Sequence, residues 1–277
     1  LEKQKIRMKP KYPIYIPTKN RAKLAHTIRF FLEDGVDFKI VVEPSQVDNY
    51  SEFKDIMLVL PEDGMRLLGS RLWIREHSIK NGFARHWQFD DNIRYVGYYT
   101  KGERVRCNAN KAIAYIEDFT DRYTNVGVSG MNYRMFVVNK RRPYILNTRV
   151  YSASLINNEM SYKHRLYYND DTDLCLQCVT NGLCTINFNA FFIEKITTMQ
   201  VKGGNTTDLY EKDGRLLMAR SLEEVWGNEY VETKWRFGRP QHVVKNSWNQ
   251  FTHPLIRRTD IDWDKIEKKN PTLKLTQ

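Results

Sequence analysis

Through the first sixty residues, short apolar runs alternate with stretches of helical spacing, and this alternation constrains the fold more than any other feature. Tyr12 to Ile16 reads as a strand ending at Pro17. Thr18 is placed to cap a helix with Leu24, Ile28, Phe31 and Leu32 on one face, closed by Gly35. Phe38 to Val42 is a second β-rich run that ends at Glu43-Pro44. Ser45 then opens a helix carrying Val47, Tyr50 and Phe53, and Ile56 to Leu60 is a third strand. Such alternation predicts a parallel sheet with crossover helices, whose ligands sit beyond the carboxyl ends of the strands. The loops to inspect are therefore Pro17 to Arg21, Glu43 to Ser45 and Pro61 to Ser70.

Further along, the spacing predicts a helix from Ser70 to Asn81-Gly82 and a strand from Ala84 to Phe89 with Trp87 and Phe89 on one side. Antiparallel segments are expected around Ile93 to Tyr99, and a helix from Ala109 to Arg122. Strands follow near Val126 to Ser129, Tyr133 to Val138 and Tyr144 to Tyr151. Thr172 to Asn181 reads as a helix stopped by Gly182, with Cys184 to Phe188 a strand after it. The expected fold class is α/β, with a parallel first half and a mixed second half.

Apolar residues at 41% of 277 are ample for a substantial core, and no window approaches the ~20 apolar residues of a membrane span. The first residues lack an apolar signal core, so a soluble, cytoplasmic protein is expected. Cys175 and Cys178 superficially copy a CxxC site. Leu174, Cys178 and Val179, however, fit one buried helix face and no second ligand pair exists, so all four cysteines read as reduced structural thiols.

The formal charge of +11 favours polyanionic partners. Between positions 234 and 258 there is no acid, while Lys234, Arg236, Arg239, Lys245, Arg257 and Arg258 are interleaved with Trp235, Phe237, Trp248 and Phe251. Cations hold phosphates and rings stack on or wedge between bases, which makes these six cations and Trp235 candidate nucleic-acid contacts. The alternative is a terminal subdomain whose rings are core.

Trp87-Gln88-Phe89-Asp90-Asp91-Asn92 carries the strongest chemical signal: a strand whose carboxyl end delivers two carboxylates and an amide into a turn. Mg²⁺ is commonly held by one or two carboxylates together with substrate phosphates, although Asp and Asn also favour turns for their own sake. A second acidic phrase, Tyr168-Asn169-Asp170-Asp171-Thr172-Asp173-Leu174, stands at a helix start, where acids also serve as caps.

Together these phrases resemble the GT-A glycosyltransferases, with their mid-chain DxD-type motif and a later acid pair before a helix. The Asp-Asp-Asn form after an aromatic strand is more narrowly similar to the TET-associated glycosyltransferases of phages and kinetoplastids, over about residues 12 to 205. Asp170 stands where Glu is usual.

The resemblance implies an α/β GT-A catalytic domain over 1–205 with a mixed central sheet, divided into a Rossmann-like nucleotide-binding half at 12–92 and an acceptor half at 93–205, with a basic aromatic extension over 206–277 contacting DNA. It implies that Asp90 and Asn92 hold Mn²⁺ or Mg²⁺ against the diphosphate of a UDP-sugar. Asp91 would meet the ribose or sugar, and Asp171 would act as general base in an inverting displacement onto a 5-hydroxymethylpyrimidine of double-stranded DNA. Pro17, Thr18, Lys19 and Arg21 would meet the nucleotide and Glu43 its base or ribose. Arg71 and Arg75, sharing a helix face, are candidates for the diphosphate, with a solvated face the alternative. Lys202, Gly203 and Gly204 would lie over that diphosphate, and His242 or His253 could join the metal or a phosphate. The competing readings are a glycosyltransferase for glycan, lipid or protein, and a metal-dependent nuclease or non-catalytic DNA binder.

Overall fold

The computed structural model describes residues 9–138, 142–196 and 211–269. The main sheet is ten-stranded. Its parallel left half runs β3 (Met57–Val59), β2 (Lys39–Val42), β1 (Ile14–Pro17), β4 (Arg85–Phe89). It continues through β9 (Ala153–Asn157), β7 (Val126–Tyr133), β10 (Cys184–Lys195), β5 (Ile93–Thr100) and β6 (Glu103–Arg106), and β8 (Tyr144–Leu146) also pairs with β10. β9 is antiparallel to both β4 and β7, and β10 is parallel to β7. The directions of β1, β2, β4, β7 and β10 therefore agree, and all five end on one edge of the sheet.

Helices α1 (His26–Asp34) and α3 (Ala109–Thr120) cover one face, while α2 (Arg66–Lys80) and α4 (Asp170–Thr180) cover other parts of the sheet. All five residues of β4 are buried, as a central strand covered on both faces requires. Trp87 donates through Nε1 to Glu117 of α3 at 2.9 Å, and the same carboxylate accepts from the backbone N–H groups of Lys11 and Tyr12. The main core gathers Ile14, Ile16, Phe31, Trp87, Phe89 and Ile113 among others.

Several elements differ from the sequence expectation. Thr18 does not cap a helix; α1 begins eight residues later and buries Thr27, Ile28, Phe30 and Phe31, leaving Leu24 and Leu32 exposed. The expected helix after Ser45 is a pair of 3-10 segments, kinked at Tyr50 and Phe53. β7 runs on from the expected Val126–Ser129 to Tyr133, where the strand expected over Tyr133 to Val138 gives way to a 3-10 turn at Arg134–Phe136; the strand expected over Tyr144 to Tyr151 is confined to β8, and β9 begins only at Ala153. The four cysteines are free, and Cys175, Cys178 and Cys184 are buried.

β7 and β9 approach closely at Gly130, where an added Cβ would lie 2.1 Å from the Ala153 carbonyl oxygen and 2.5 Å from Val150 Cγ1. Gly130→Ala is expected to cost about 1–3 kcal/mol as overpacking, measured as a lower denaturation midpoint with an unchanged slope.

The C-terminal residues form α5 (Glu211–Tyr230, broken at Gly214 and Gly227), the hairpin β11 (Val231–Arg236) and β12 (Arg239–Val244), and α6 (Trp263–Lys269). Their apolar side chains join a cluster with Leu166 and Leu176, and Leu255 and Trp263 pack on the main core. No helix among the described residues is long and apolar enough to cross a membrane.

Candidate active site

The strand ends that share an edge open into one cleft of about 710 Å³. Nine Lys or Arg residues and six Asp or Glu residues line it, counted among the described residues. The Asp90-Asp91-Asn92 turn is fixed from three sides. Thr27 of α1 donates through its hydroxyl to the Asp90 carbonyl at 2.6 Å and accepts from the Ile93 N–H at 2.9 Å. The Asp90 N–H meets the Ser152 carbonyl before β9, and the Ile196 N–H after β10 meets the Asn92 carbonyl.

The three side chains of the turn point to different partners. Asp91 is buried and faces the β1 loop, where Arg21 pairs with Oδ1 at 2.7 Å and the Thr18 hydroxyl donates to Oδ2 at 2.8 Å. Burial pushes its carboxyl above the ordinary value, outweighing Arg21 and Thr18. Asp90 accepts from Lys195 Nζ at 2.6 Å, and Arg71 stands 3.7 Å away on its other oxygen. Burial raises the Asp90 carboxyl, but Lys195 and Arg71 together outweigh it and hold the group below its usual range. Asn92 is buried, and its Oδ1 has no hydrogen-bond partner among the described residues.

Across the cleft, α4 brings in the second acidic phrase. Asn169 adopts a left-handed conformation with φ of 54° and anchors its side chain on the Met218 carbonyl at 2.7 Å. Asp170 and Asp171 occupy the first turn, and neither caps the helix in the usual sense. Asp170 pairs with Arg71 Nη1 at 2.5 Å, so a single guanidinium lies between the two acidic motifs. Asp171 lines the cleft, and its Oδ1 accepts from the Thr172 N–H at 2.9 Å. Burial, and next the Asp170 charge, push the Asp171 carboxyl up to about 7. An acid with that proton affinity can accept a proton near neutrality, and the surrounding cations can hold an anion.

Asp173, two residues on, is turned away from the cleft and ties the C-terminal region down. It accepts from Arg165 at 2.9 Å and from Trp226 Nε1 of α5 at 2.7 Å.

Pro17, Thr18, Lys19, Arg21, Glu43, Arg71, Asp90, Asp91, Asn92 and Asp171 all line this cleft, with Lys19 paired to Glu43 at 2.9 Å. Arg75 does not. One helical turn beyond Arg71, it donates to the carbonyls of Met160, Asn158 and Tyr162 and stacks on the Tyr162 ring, 4.2 Å from its centroid. Lys202, Gly203 and Gly204 lie outside the described residues. His253 bonds the Val179 carbonyl, whereas His242 lines the cleft, kept neutral by burial and then by Arg149, with a value near 4. Of the six candidate nucleic-acid cations, Arg239 lines the cleft and the other five do not. Lys234 pairs with Glu232 and Lys245 holds Asn228. Arg257 and Arg258 pair with Glu267 and Asp260 beside Tyr123, ahead of the first residue of β7 and so at the opposite end of the sheet.

Sequence reasoning missed Lys195 and Ser152, which fix Asp90, and Tyr133 and Arg66, which line the cleft. The apolar run Phe191-Phe192-Ile193 ending in Glu194-Lys195 was the available signal, a strand end like that at Asp90.

Divalent metals of the Mg²⁺ type take oxygen ligands, often one or two from protein and the rest from phosphates and water. The unpartnered Asn92 Oδ1 beside Asp90 fits that pattern. Lys195 already occupies Asp90 Oδ2, which leaves Oδ1 as the carboxylate oxygen to share. Among the described residues no three acids, His or Cys close round one point.

Parallel strands deliver acids and cations to one sheet edge, opposite an acid pair at a helix start, which is where open α/β folds place their ligands. The TET-associated glycosyltransferase family model matches residues 12–204, which contain every strand of the main sheet, and the chain belongs to that family. It is a glycosyltransferase. No curated protein matches the chain.

Proposed function

We propose that this chain moves a sugar from a nucleotide sugar, in the first instance a UDP-sugar, to the hydroxyl of a 5-hydroxymethylpyrimidine in double-stranded DNA, with inversion at the anomeric carbon. The observation that carries the reading is the meeting, in one cleft, of a base-competent acid, an excess of cations and a strand of the basic C-terminal hairpin. The order β3-β2-β1-β4 with an antiparallel strand beyond it supports a GT-A-type scaffold.

In this mechanism the β1 and β2 loops bind the nucleoside portion through Thr18, Lys19, Arg21 and Glu43. Asp171 takes the acceptor hydroxyl proton as that oxygen bonds to the anomeric carbon. The bond from that carbon to the diphosphate oxygen breaks, and the leaving diphosphate carries away its electron pair. Arg71 and Lys195 hold Asp90 in place, and the cleft's cations offset the charge that develops on the diphosphate. A bound Mn²⁺ or Mg²⁺, held by Asp90 and Asn92, would supply Lewis-acid neutralisation of the leaving group.

The test is mass spectrometry of nucleosides from hydroxymethylcytosine- or hydroxymethyluracil-containing DNA incubated with the protein, Mn²⁺ and a panel of sugar nucleotides. A hexose-sized mass gain dependent on donor and metal is expected. Donor hydrolysis with unmodified DNA would overturn the acceptor and send the search to glycan, lipid or protein hydroxyls.

A further inference from the structure

The β11–β12 hairpin has an anchored base and a bare tip. Val231 and Val244 are buried against Leu166, Leu176 and Leu222, with Trp226 packed alongside. Six register pairs then carry the ribbon out to Phe237-Gly238. There the side chains of Trp235 and Phe237 are 74% and 92% exposed, and Arg236 and Arg239 are exposed beside them. These rings contrast with Trp248 and Phe251 of the same segment, which pack into the cluster.

The turn is tight, with φ of 51° at Phe237 and 71° at Gly238. Two-residue turns with both central residues at positive φ select Asn, Asp or Gly at the first position. A phenylalanine there is held in a sparsely populated conformation and buries nothing, so the fold gains nothing from it.

The placement of the hairpin suggests what it serves. Two residues past the tip, at Arg239, β12 enters the cleft wall, and Pro240, Gln241 and His242 continue along it. At strand spacing the tip is about 7 Å from the cleft rim. A base that brings its hydroxymethyl group into the interior of such a cleft leaves the duplex stack, at a cost of unstacking and unpairing, and leaves a gap behind it.

Resting on the reading of the acceptor as DNA, we propose that Phe237 is a wedge, entering the duplex at the position of the extruded nucleotide, with Arg236 and Arg239 on the flanking phosphates. Duplex DNA is the occupant because cations flank the rings and the ribbon leads into the cleft that takes the base; apolar wedges set among arginines are how proteins part base steps.

The experiment compares transfer to an oligonucleotide carrying hydroxymethylcytosine, as duplex and as single strand, for the wild type, Phe237→Ala and Phe237→Trp. Phe237 is almost fully exposed, so neither change endangers the fold. Phe237→Ala is expected to lose about tenfold or more on the duplex and less than about twofold on the single strand. Phe237→Trp should retain duplex transfer. With 2-aminopurine beside the target, wild-type binding should raise fluorescence and Phe237→Ala should not. Equal loss on both acceptors, or no loss on the duplex, overturns the wedge while leaving the DNA reading intact. Absence of wild-type transfer to either DNA overturns both, as does Phe237-dependent binding to anionic vesicles in place of DNA.

Discussion

Asp171→Asn is expected to lower kcat by about 10²- to 10⁴-fold, the usual contribution of a positioned base, while donor affinity stays within about twofold. The substitution keeps the shape of the side chain and an oxygen that can accept from the Thr172 N–H, so the first turn of α4 has no reason to move. It removes only the capacity to take a proton. Single-turnover transfer together with donor binding by calorimetry would separate the two quantities. An Asp171→Asn protein with full transfer activity would sink the mechanism.

The same assignment fixes a pH dependence. Burial and the neighbouring Asp170 disfavour the charged form of Asp171 and place its carboxyl at about 7. A base must be deprotonated to act, so kcat/KM is expected to rise with pH and level off above about 7. Asp170→Asn removes the neighbouring charge, which favours ionisation of Asp171 and moves that limb to lower pH. A limb that stays in place would mean that another group controls it.

What was legible in the sequence follows from how local its causes are. Trp87-Gln88-Phe89 reads as a buried strand because both of its faces are covered, and the turn after it could be placed for that reason. Thr18 was misread as a cap because its hydroxyl is taken by Asp91 and Tyr50, which are far along the chain. Val47, Tyr50 and Phe53 have helical spacing, but Tyr50 and Phe53 both sit at φ of −110° and ψ of 19°, which interrupts a regular helix. Arg71 and Arg75 share a face by spacing, yet only α2's placement beside α4 decides which of them meets an acid. The apolar run before Lys195 marks a strand end but does not name its partner: that partner is Asp90, reached because β4 and β10 end on the same edge with Ser152 between them.

That buried pair gives the second large effect. Lys195 Nζ lies 2.6 Å from Asp90 Oδ2 and 2.7 Å from Ser152 Oγ, with its side chain 14% exposed. Burial opposes the ammonium, and the Asp90 carboxylate outweighs it and holds the lysine charged. Lys195→Met keeps the length and removes the charge, leaving Asp90 with Arg71 at 3.7 Å. Breaking one side of such a pair is expected to cost about 3 kcal/mol, the low end of the buried range because Asp90 retains some solvent contact. The wild-type carboxyl is depressed, so its stabilising contribution is present above its unfolded value and lost as pH falls through the folded one. The gap between wild type and variant should therefore narrow below about pH 4. Lys195→Met combined with Asp90→Asn removes both charges, and denaturant midpoints should recover toward the wild type. Transfer by the double variant should be down by about 10²-fold or more, because it lacks the Asp90 carboxylate that would hold the metal. If the double variant is no more stable than Lys195→Met alone, the lysine acts through packing, and the charge coupling argued for the cleft is wrong.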